Sequence, residues 1–321
     1  MCFVTHNTHM IKPLFPFRKL LDIAEEVPKQ ILSNCFSRLP EKARISVSGD
    51  YEVYLIEPET EADRILEEIG RLREITFRAV GEGTGNDRDL DEYDSYFHHL
   101  VLWDSKVQTI VGAYRIGIGP EIYADKGIKG FYIRSLFKIN PGGHYLMREG
   151  IEVGRAFIRE EYQMRPTPLF ILWKSILKVV LERSEIKYIF GSVSISNTFS
   201  QTSRSLLSAY IKKYYFDAEY AQYVKPKTEY KAKLNPISHQ ILESAKPNQI
   251  KDLEKMIRKF EPAGVRFPVL IKKYLSQNAR VVGFNVDPKF GNSLDGFMYI
   301  NINHLPEKTI NQVIDELEKA L

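Results

Sequence analysis

One order of elements constrains this chain more than any other feature: a strand over 150–158, a helix over 168–183 and a second strand over 188–196. The first strand reads Gly150-Ile151-Glu152-Val153-Gly154-Arg155-Ala156-Phe157-Ile158. Thr167 then supplies a cap and Pro168 a first helical residue. Tyr188-Ile189-Phe190 opens the second strand as a buried run. A strand, a crossover helix and a strand put the two strands side by side and parallel. The alternating segments 98–104 and 109–117, joined by a short polar turn, form an antiparallel hairpin. Strands near 279–286 and 296–303 add to the sheet. The fold class is therefore α/β (α+β): a mixed, mostly antiparallel sheet flanked by helices.

The remaining segments fit around that sheet. Residues 1–45 form a helical extension, with Phe15-Pro16-Phe17-Arg18-Lys19-Leu20-Leu21 leading into a pattern broken at Pro28 and resumed at Ile31. It either lies on a membrane interface or packs on the domain, and Asp22, Glu25 and Glu26 interrupt its basic face. One domain spans 46–321. A strand over 51–57 precedes a helix capped near Thr60, whose apolar period runs through Ile65, Ile69 and Leu72 to about Val80. The run Gly81-Glu82-Gly83-Thr84-Gly85-Asn86 ends it, and an acidic loop follows through Asp94. Glycines and Pro141 mark loops over 120–148. A helix spans 198–215, a basic helical insertion 216–265, a helix 268–277, and a last helix starts at Pro306.

The chain has 321 residues, 44% of them hydrophobic and 27% charged, which is ordinary for a soluble globular protein. There is no apolar run long enough to span a bilayer and no signal-peptide pattern at the start. Two cysteines are too few for a disulfide framework and fit a cytoplasmic location. A net charge of +4 suits an acidic partner or peripheral contact with an anionic inner membrane face, and is too small to argue for nucleic acid.

Glu152 and Arg155 stand three apart on the central strand. A strand alternates faces with period two, so they share a face only if a bulge, expected at Gly154, intervenes. They are then either a reaction centre or a structural ion pair. Asp91 and Asp94 either hold a substrate ammonium or pair with Arg78 and Arg115 to order their loop. The acidic run lacks the spacing of a calcium loop, so no metal is expected. His98, His99 and His144 read as surface or strand histidines, since no Ser or Cys nucleophile motif accompanies them.

In order, Leu72-Arg73-Glu74-Ile75-Thr76-Phe77-Arg78, Asp91-Glu92-Tyr93-Asp94, His99-Leu100-Val101-Leu102, Val111-Gly112-Ala113-Tyr114-Arg115, Glu152-Val153-Gly154-Arg155 and Tyr188-Ile189-Phe190-Gly191-Ser192-Val193-Ser194 resemble the GNAT-like N-acyltransferases that make ornithine and glycine aminolipids. These are often labelled "putative hemolysin" and are similar to acyl-homoserine-lactone synthases. The resemblance is firmest over 55–215. It implies that strands 150–158 and 188–196 splay apart to admit a phosphopantetheine arm, with backbone N–H groups near Gly154–Phe157 facing the thioester oxygen.

It further implies a 3-hydroxy long-chain acyl group moved from acyl carrier protein to the α-amino group of glycine or ornithine, the first step of aminolipid synthesis. Glu152 would take the proton and Arg155 would fix an anion. Arg78, Asp91, Asp94 and Arg115 would bind the acceptor, and Phe157, Arg159, Arg165 and Thr167 the phosphopantetheine. Ser194, Ser196 and Asn197 would donate to the leaving sulfur. No cofactor is bound. The turn 162–168 holds no glycine, and a single phosphate needs fewer backbone donors than a diphosphate, which favours carrier protein over coenzyme A. The aromatic and basic stretch 212–233 would dock the carrier or a membrane surface. An acetyl-CoA-dependent N-acetyltransferase and a non-catalytic lipid-binding protein stand as alternatives.

Overall fold

The computed structural model describes residues 20–58, 60–262 and 267–311. Residues 20–28 are not helical, and the first helix is α1, Lys29–Arg38. Pro28 explains the start, because proline lacks the N–H that an earlier helical turn would need. The remainder of the expected N-terminal helix lies outside the described residues. Leu32 and Phe36 of α1 are buried, and Phe36 stacks on Trp103 at 4.2 Å between ring centroids. This segment therefore packs on the domain.

A hairpin of β1 (Arg44–Ser48) and β2 (Tyr51–Ile56) follows, then α2 (Asp63–Ala79), β3 (His98–Asp104) and β4 (Thr109–Ile118). The expected 98–117 hairpin is present, with His99 opposite Arg115. The stretch expected as loops holds α3 (Gly119–Lys126), α4 (Ile133–Leu136), β5 (Phe137–Ile139) and α5 (Tyr145–Arg148). Then come β6 (Gly150–Ile158), α6 (Pro166–Leu181), β7 (Tyr188–Ile195) and α7 (Gln201–Tyr215).

The 216–265 stretch is only partly helical. Short α8 (Ala218–Ala221) leads to β8 (Val224–Pro226), which pairs antiparallel with β5. Helices α9 (Pro236–Ser244) and α10 (Ile250–Ile257) follow, then α11 (Val269–Leu275), β9 (Arg280–Asp287) and β10 (Ser293–Asn301). The expected last helix begins at Glu307, and its course beyond 311 lies outside the described residues.

Eight strands form one sheet in the order β1-β2-β3-β4-β6-β7-β10-β9. Among these pairings only β6–β7 is parallel, and it holds for three residue pairs, Gly150–Tyr188, Ile151–Ile189 and Glu152–Phe190. Beyond Glu152 the two strands part, as the expected splay required. Gly191 marks the last close approach: a Cβ there would stand 2.2 Å from the Val153 carbonyl oxygen.

One face of the sheet carries a continuous apolar core. Ile151, Val153, Val193 and Ile195 pack there with Leu172, Trp173 and Ile176 of α6 and with Leu206, Leu207 and Tyr210 of α7. The opposite face has two separate apolar clusters. One joins α1 and α2 to β2–β4 around Ile65, Ile69 and Trp103. The other gathers Phe97, Phe131, Phe137, Phe190 and Phe297. Between these two clusters lies a belt of buried charged side chains.

Candidate active site

The belt is built from residues that the strands' alternation turns away from the α6 face. Along β6, Ile151 and Val153 join the α6 core and Glu152 points the other way. On the neighbouring β4, Arg115, which stands opposite Gly154, is 2% exposed. A bulge does bring Arg155 toward the belt, one residue beyond its expected place. Between Arg115–Gly154 and Ala113–Phe157, two residues of β6, Arg155 and Ala156, oppose Tyr114 alone. Arg155 takes φ of 49°, a left-handed conformation uncommon for a side chain of its size. The strain is held by ion pairs: its Nε is 3.1 Å from Asp89 and its Nη2 is 3.3 Å from Asp91. Its guanidinium also lies over the rings of Tyr132 (4.8 Å) and Phe290 (5.0 Å).

Glu152 and Arg155 are not an ion pair. The Glu152 carboxylate accepts hydrogen bonds from the backbone N–H groups of Tyr132 (2.9 Å) and Ile133 (2.6 Å). It is 3% exposed, so the expectation of a carboxylate facing an open cleft is not met: the chain at 132–133 closes over it. Burial pushes its pKa up to about 7, against the two N–H donors and Arg115, which favour the charged form.

Asp91 and Asp94 take the loop-ordering role. Asp91 caps the turn 92–95 by accepting from Tyr93 N–H, and Asp94 reaches back to the Asp91 N–H at 2.8 Å. Both bind Arg115, and Asp94 also accepts from Arg73 at 2.7 Å. Burial alone would raise the Asp94 pKa, but Arg73 and Arg115 outweigh it and hold the carboxyl well below its usual range. Arg78 departs from expectation. It pairs with Glu74 at 2.7 Å and donates to the carbonyls of Leu21 (2.9 Å) and Asn86, so it ties the chain near 21 and 86 to α2 instead of meeting Asp91 or Asp94. Glu74, four residues before Arg78, was the signal for that pair.

His98 and His99 are strand histidines but not surface ones. Burial and Arg183 press His98 down to about 4, and burial and Arg73 press His99 down to about 3, so both are neutral near pH 7. His144 is half-buried and meets the Tyr123 hydroxyl at 3.0 Å.

The residues expected to hold phosphopantetheine are dispersed. Phe157 is buried in the cluster beneath α2. Arg159 already donates to Thr109 and to Glu161 at 3.1 Å. Arg165 and Thr167 are exposed at the start of α6. That helix begins at Pro166, with extended Arg165 in the cap position and no side-chain cap bond, not at Pro168 behind a Thr167 cap. Pro166 pushes Arg165 out of the helical region and itself suits the first helical position.

The three expected leaving-group donors are all engaged. Ser194 donates to Asp295 at 2.7 Å, Ser196 to the Val80 carbonyl and Asn197 to the Gly291 carbonyl. Ser196 and Asn197 stitch the end of β7 to the loops at 80 and 291. Ser194 belongs to the belt. Tyr132, Asp89, Glu82 and Asp295 were not among the expected site residues. They reach the belt only through long-range packing, which no local pattern announces.

The chain matches the model of the "Acetyltransferase (GNAT) domain" over residues 72–174, which run from the middle of α2 into α6. It is 28% identical over 311 residues to a curated protein of Bacteroides thetaiotaomicron named "Glycine N(alpha)-acyltransferase", covering 89% of this chain and 87% of that protein. A protein of the same name from Phocaeicola vulgatus is 26% identical over 300 residues, covering 89% and 90%. Two solved structures show slight likeness. One is described as the AHL synthase LasI, with TM-score 0.33 and 14% identity over 45% of this chain and 72% of that one. The other is described as FeeM, an N-acyl amino acid synthase from uncultured soil microbes, with TM-score 0.30 and 17% identity over 49% and 77%. The matched domain and the two relatives bear out the resemblance drawn from the sequence: the chain carries a GNAT domain match within a mixed α/β fold and is similar over most of its length to proteins named as acyltransferases.

Proposed function

We propose that this protein moves a 3-hydroxy long-chain acyl group from the phosphopantetheine thioester of acyl carrier protein to the α-amino group of an amino acid, glycine first. The observation that carries this is the belt itself: the buried carboxylate of Glu152 and the guanidiniums of buried Arg115 and largely covered Arg155, gathered where β6 leaves β7. The amine nitrogen attacks the thioester carbon, a C–N bond forms, the C–S bond breaks, and the sulfur leaves as a thiolate, to which the proton lost by the nitrogen is passed on through Glu152. Glu152 takes the proton lost by the nitrogen; its oxygens keep lone pairs beyond those bonded to Tyr132 and Ile133. An arginine suits the acceptor's carboxylate, and Arg155, on the bulge, is the one beside the parting. The names of the two relatives favour glycine over ornithine.

The start of α6 supports a carrier-bound donor. Pro166 and Pro168 have no N–H, so the first turn offers few backbone donors, enough for one phosphate and poor for a diphosphate. Lys212, Lys213 and Lys231 line a cavity of about 450 Å³, and this basic stretch suits an acidic carrier. The product is an amide that favours lipid, since each buried methylene gives about 0.8 kcal/mol, which fits the first step of aminolipid synthesis at the inner face of a membrane.

The test is to incubate the purified protein with 3-hydroxyacyl carrier protein or acyl-CoA and a panel of amino acids, and to weigh the products. An amide of glycine from the carrier-bound donor is expected. No amide from any combination would overturn the proposal, and product from acyl-CoA alone would overturn the donor assignment.

A further inference from the structure

A second acid in the belt has no partner in the packing. Glu82, in the loop after α2, is 9% exposed, and its carboxylate makes no hydrogen bond or ion pair among the described residues. Its backbone is fixed from both sides. The Glu82 N–H donates to Phe77 at 2.8 Å. Gly81 has φ of 77°, and its carbonyl oxygen lies 2.1 Å from where a Cβ on Gly291 would stand. A Cβ on Gly83 would meet Arg78 at 2.4 Å. The loop is pinned between α2 and the 291 turn, which holds the Glu82 carboxylate within electrostatic reach of Arg155 and Asp295.

Two charged groups face Glu82: Arg155 from β6 and Asp295 from β10. Asp295 is 2% exposed and, among the described residues, accepts only from the hydroxyls of Ser194 and Ser293. Arg155 is already shared by Asp89 and Asp91. Its Nε and the facing Asp89 oxygen, though 3.1 Å apart, are both buried without hydrogen-bond alignment. Arg115 is bound to Asp91 and Asp94. The belt thus holds the neighbouring acids Glu82 and Asp295, with Asp287 of β9 also acting on Asp295, and among the described residues the one cation that acts on both, Arg155, is already shared with Asp89 and Asp91. Burying such a pair is costly unless a positive group joins it.

We infer that Glu82 and Asp295 form the subsite that receives the ammonium group of the amino-acid acceptor, with Arg155 beside them for the acceptor's carboxylate. The inference deepens the proposed acyl transfer and rests on it. Burial and the charge of Asp295 push Glu82 up to about 8, so that Glu82 holds a proton at pH 7. An arriving ammonium takes the place of that proton, which passes to solvent.

Calorimetry of glycine binding at pH 7, in buffers of different ionisation heat, tests this. The expected result is release of close to one proton per glycine, with Glu82→Gln abolishing the release and weakening glycine at least tenfold while carrier-protein binding stays unchanged. Binding by Glu82→Gln with wild-type affinity and proton count would overturn the inference. Should that variant fail to fold, the wild-type protein with ¹³C-labelled glutamate carboxyls gives the answer. The Glu82 signal should titrate near pH 8 and move down by at least one unit in methylammonium chloride; an unmoved titration overturns the inference. If methylammonium moves it but no amino acid is ever acylated, the proposed reaction falls and the cation subsite stands.

Discussion

At the residue scale, Glu152 has two duties that one substitution separates poorly. Its oxygens each accept a backbone N–H, and its charge is the proposed base. Glu152→Gln puts an amide NH₂ against one of those N–H donors, leaving a buried donor unsatisfied at a cost of about 1–3 kcal/mol. Removing the base should also lower turnover about 10²–10⁴-fold. Both effects are measurable, by denaturant unfolding and by product formation at saturating substrates. A variant that folds as before and turns over as before would remove Glu152 from the chemistry. Because the base must be ionised, kcat/KM in the wild-type protein should fall as pH drops through about 7, the value to which burial raises Glu152. Glu152 and Arg155 were legible as site candidates from residue type and spacing. Glu82 was not, because Gly81-Glu82-Gly83 reads locally as a helix stop. Asp295 reads as one more strand residue. Only the packing of Gly81 under Gly291 and of β10 beside β7 brings them to the same belt.

At the scale of elements, the long periodic segments were legible and the short ones were not. The β3–β4 hairpin, α2, β6 and β7 carry full periods of apolar residues. By contrast, β5 and β8 are three residues each and exist through their pairing with one another. The bulge in β6 was legible in kind but displaced from Gly154 to Arg155 and Ala156. Gly154 has open space around its Cβ position and no positive φ, so nothing local required the irregularity there. It sits where Arg155 can meet Asp89 and Asp91, a long-range cause. The junction of β6 and β7 gives a direct test. Gly191→Ala would drive a methyl to 2.2 Å from the Val153 carbonyl oxygen, so the strands must shift. A loss of about 1–3 kcal/mol is expected in urea unfolding, with catalysis impaired beyond what the loss of folded protein explains.

At the scale of the whole molecule, the buried acids set how stability depends on pH. Glu82 and Glu152 titrate near 8 and 7 in the folded protein, above the ordinary glutamate value. Between those values and about 4.3 the folded state binds more protons than the unfolded one, so stability contributed there falls as pH rises. His98 and His99, pressed down to about 4 and 3, act in the opposite sense, but only below their unfolded value near 6.5. Above about pH 7 the histidine contribution fades while the acids still act, so the melting temperature should decline from there toward pH 8. The decline should be smaller in Glu82→Gln. The lysines around the 450 Å³ cavity make a second prediction. The KM for carrier protein should rise with ionic strength and with Lys212→Glu, leaving kcat within about twofold.

The short β6–β7 pairing also has a mechanical consequence. Five strands on one side and three on the other meet along three residue pairs, while α6 and α7 bind both sides across the back. Such a sheet is a book with its spine on the α6 face, able to open only toward the charged belt. Under the proposed acyl transfer, a long chain seated between the leaves would hold them at a set angle, so chain length would be measured by how far the book can open.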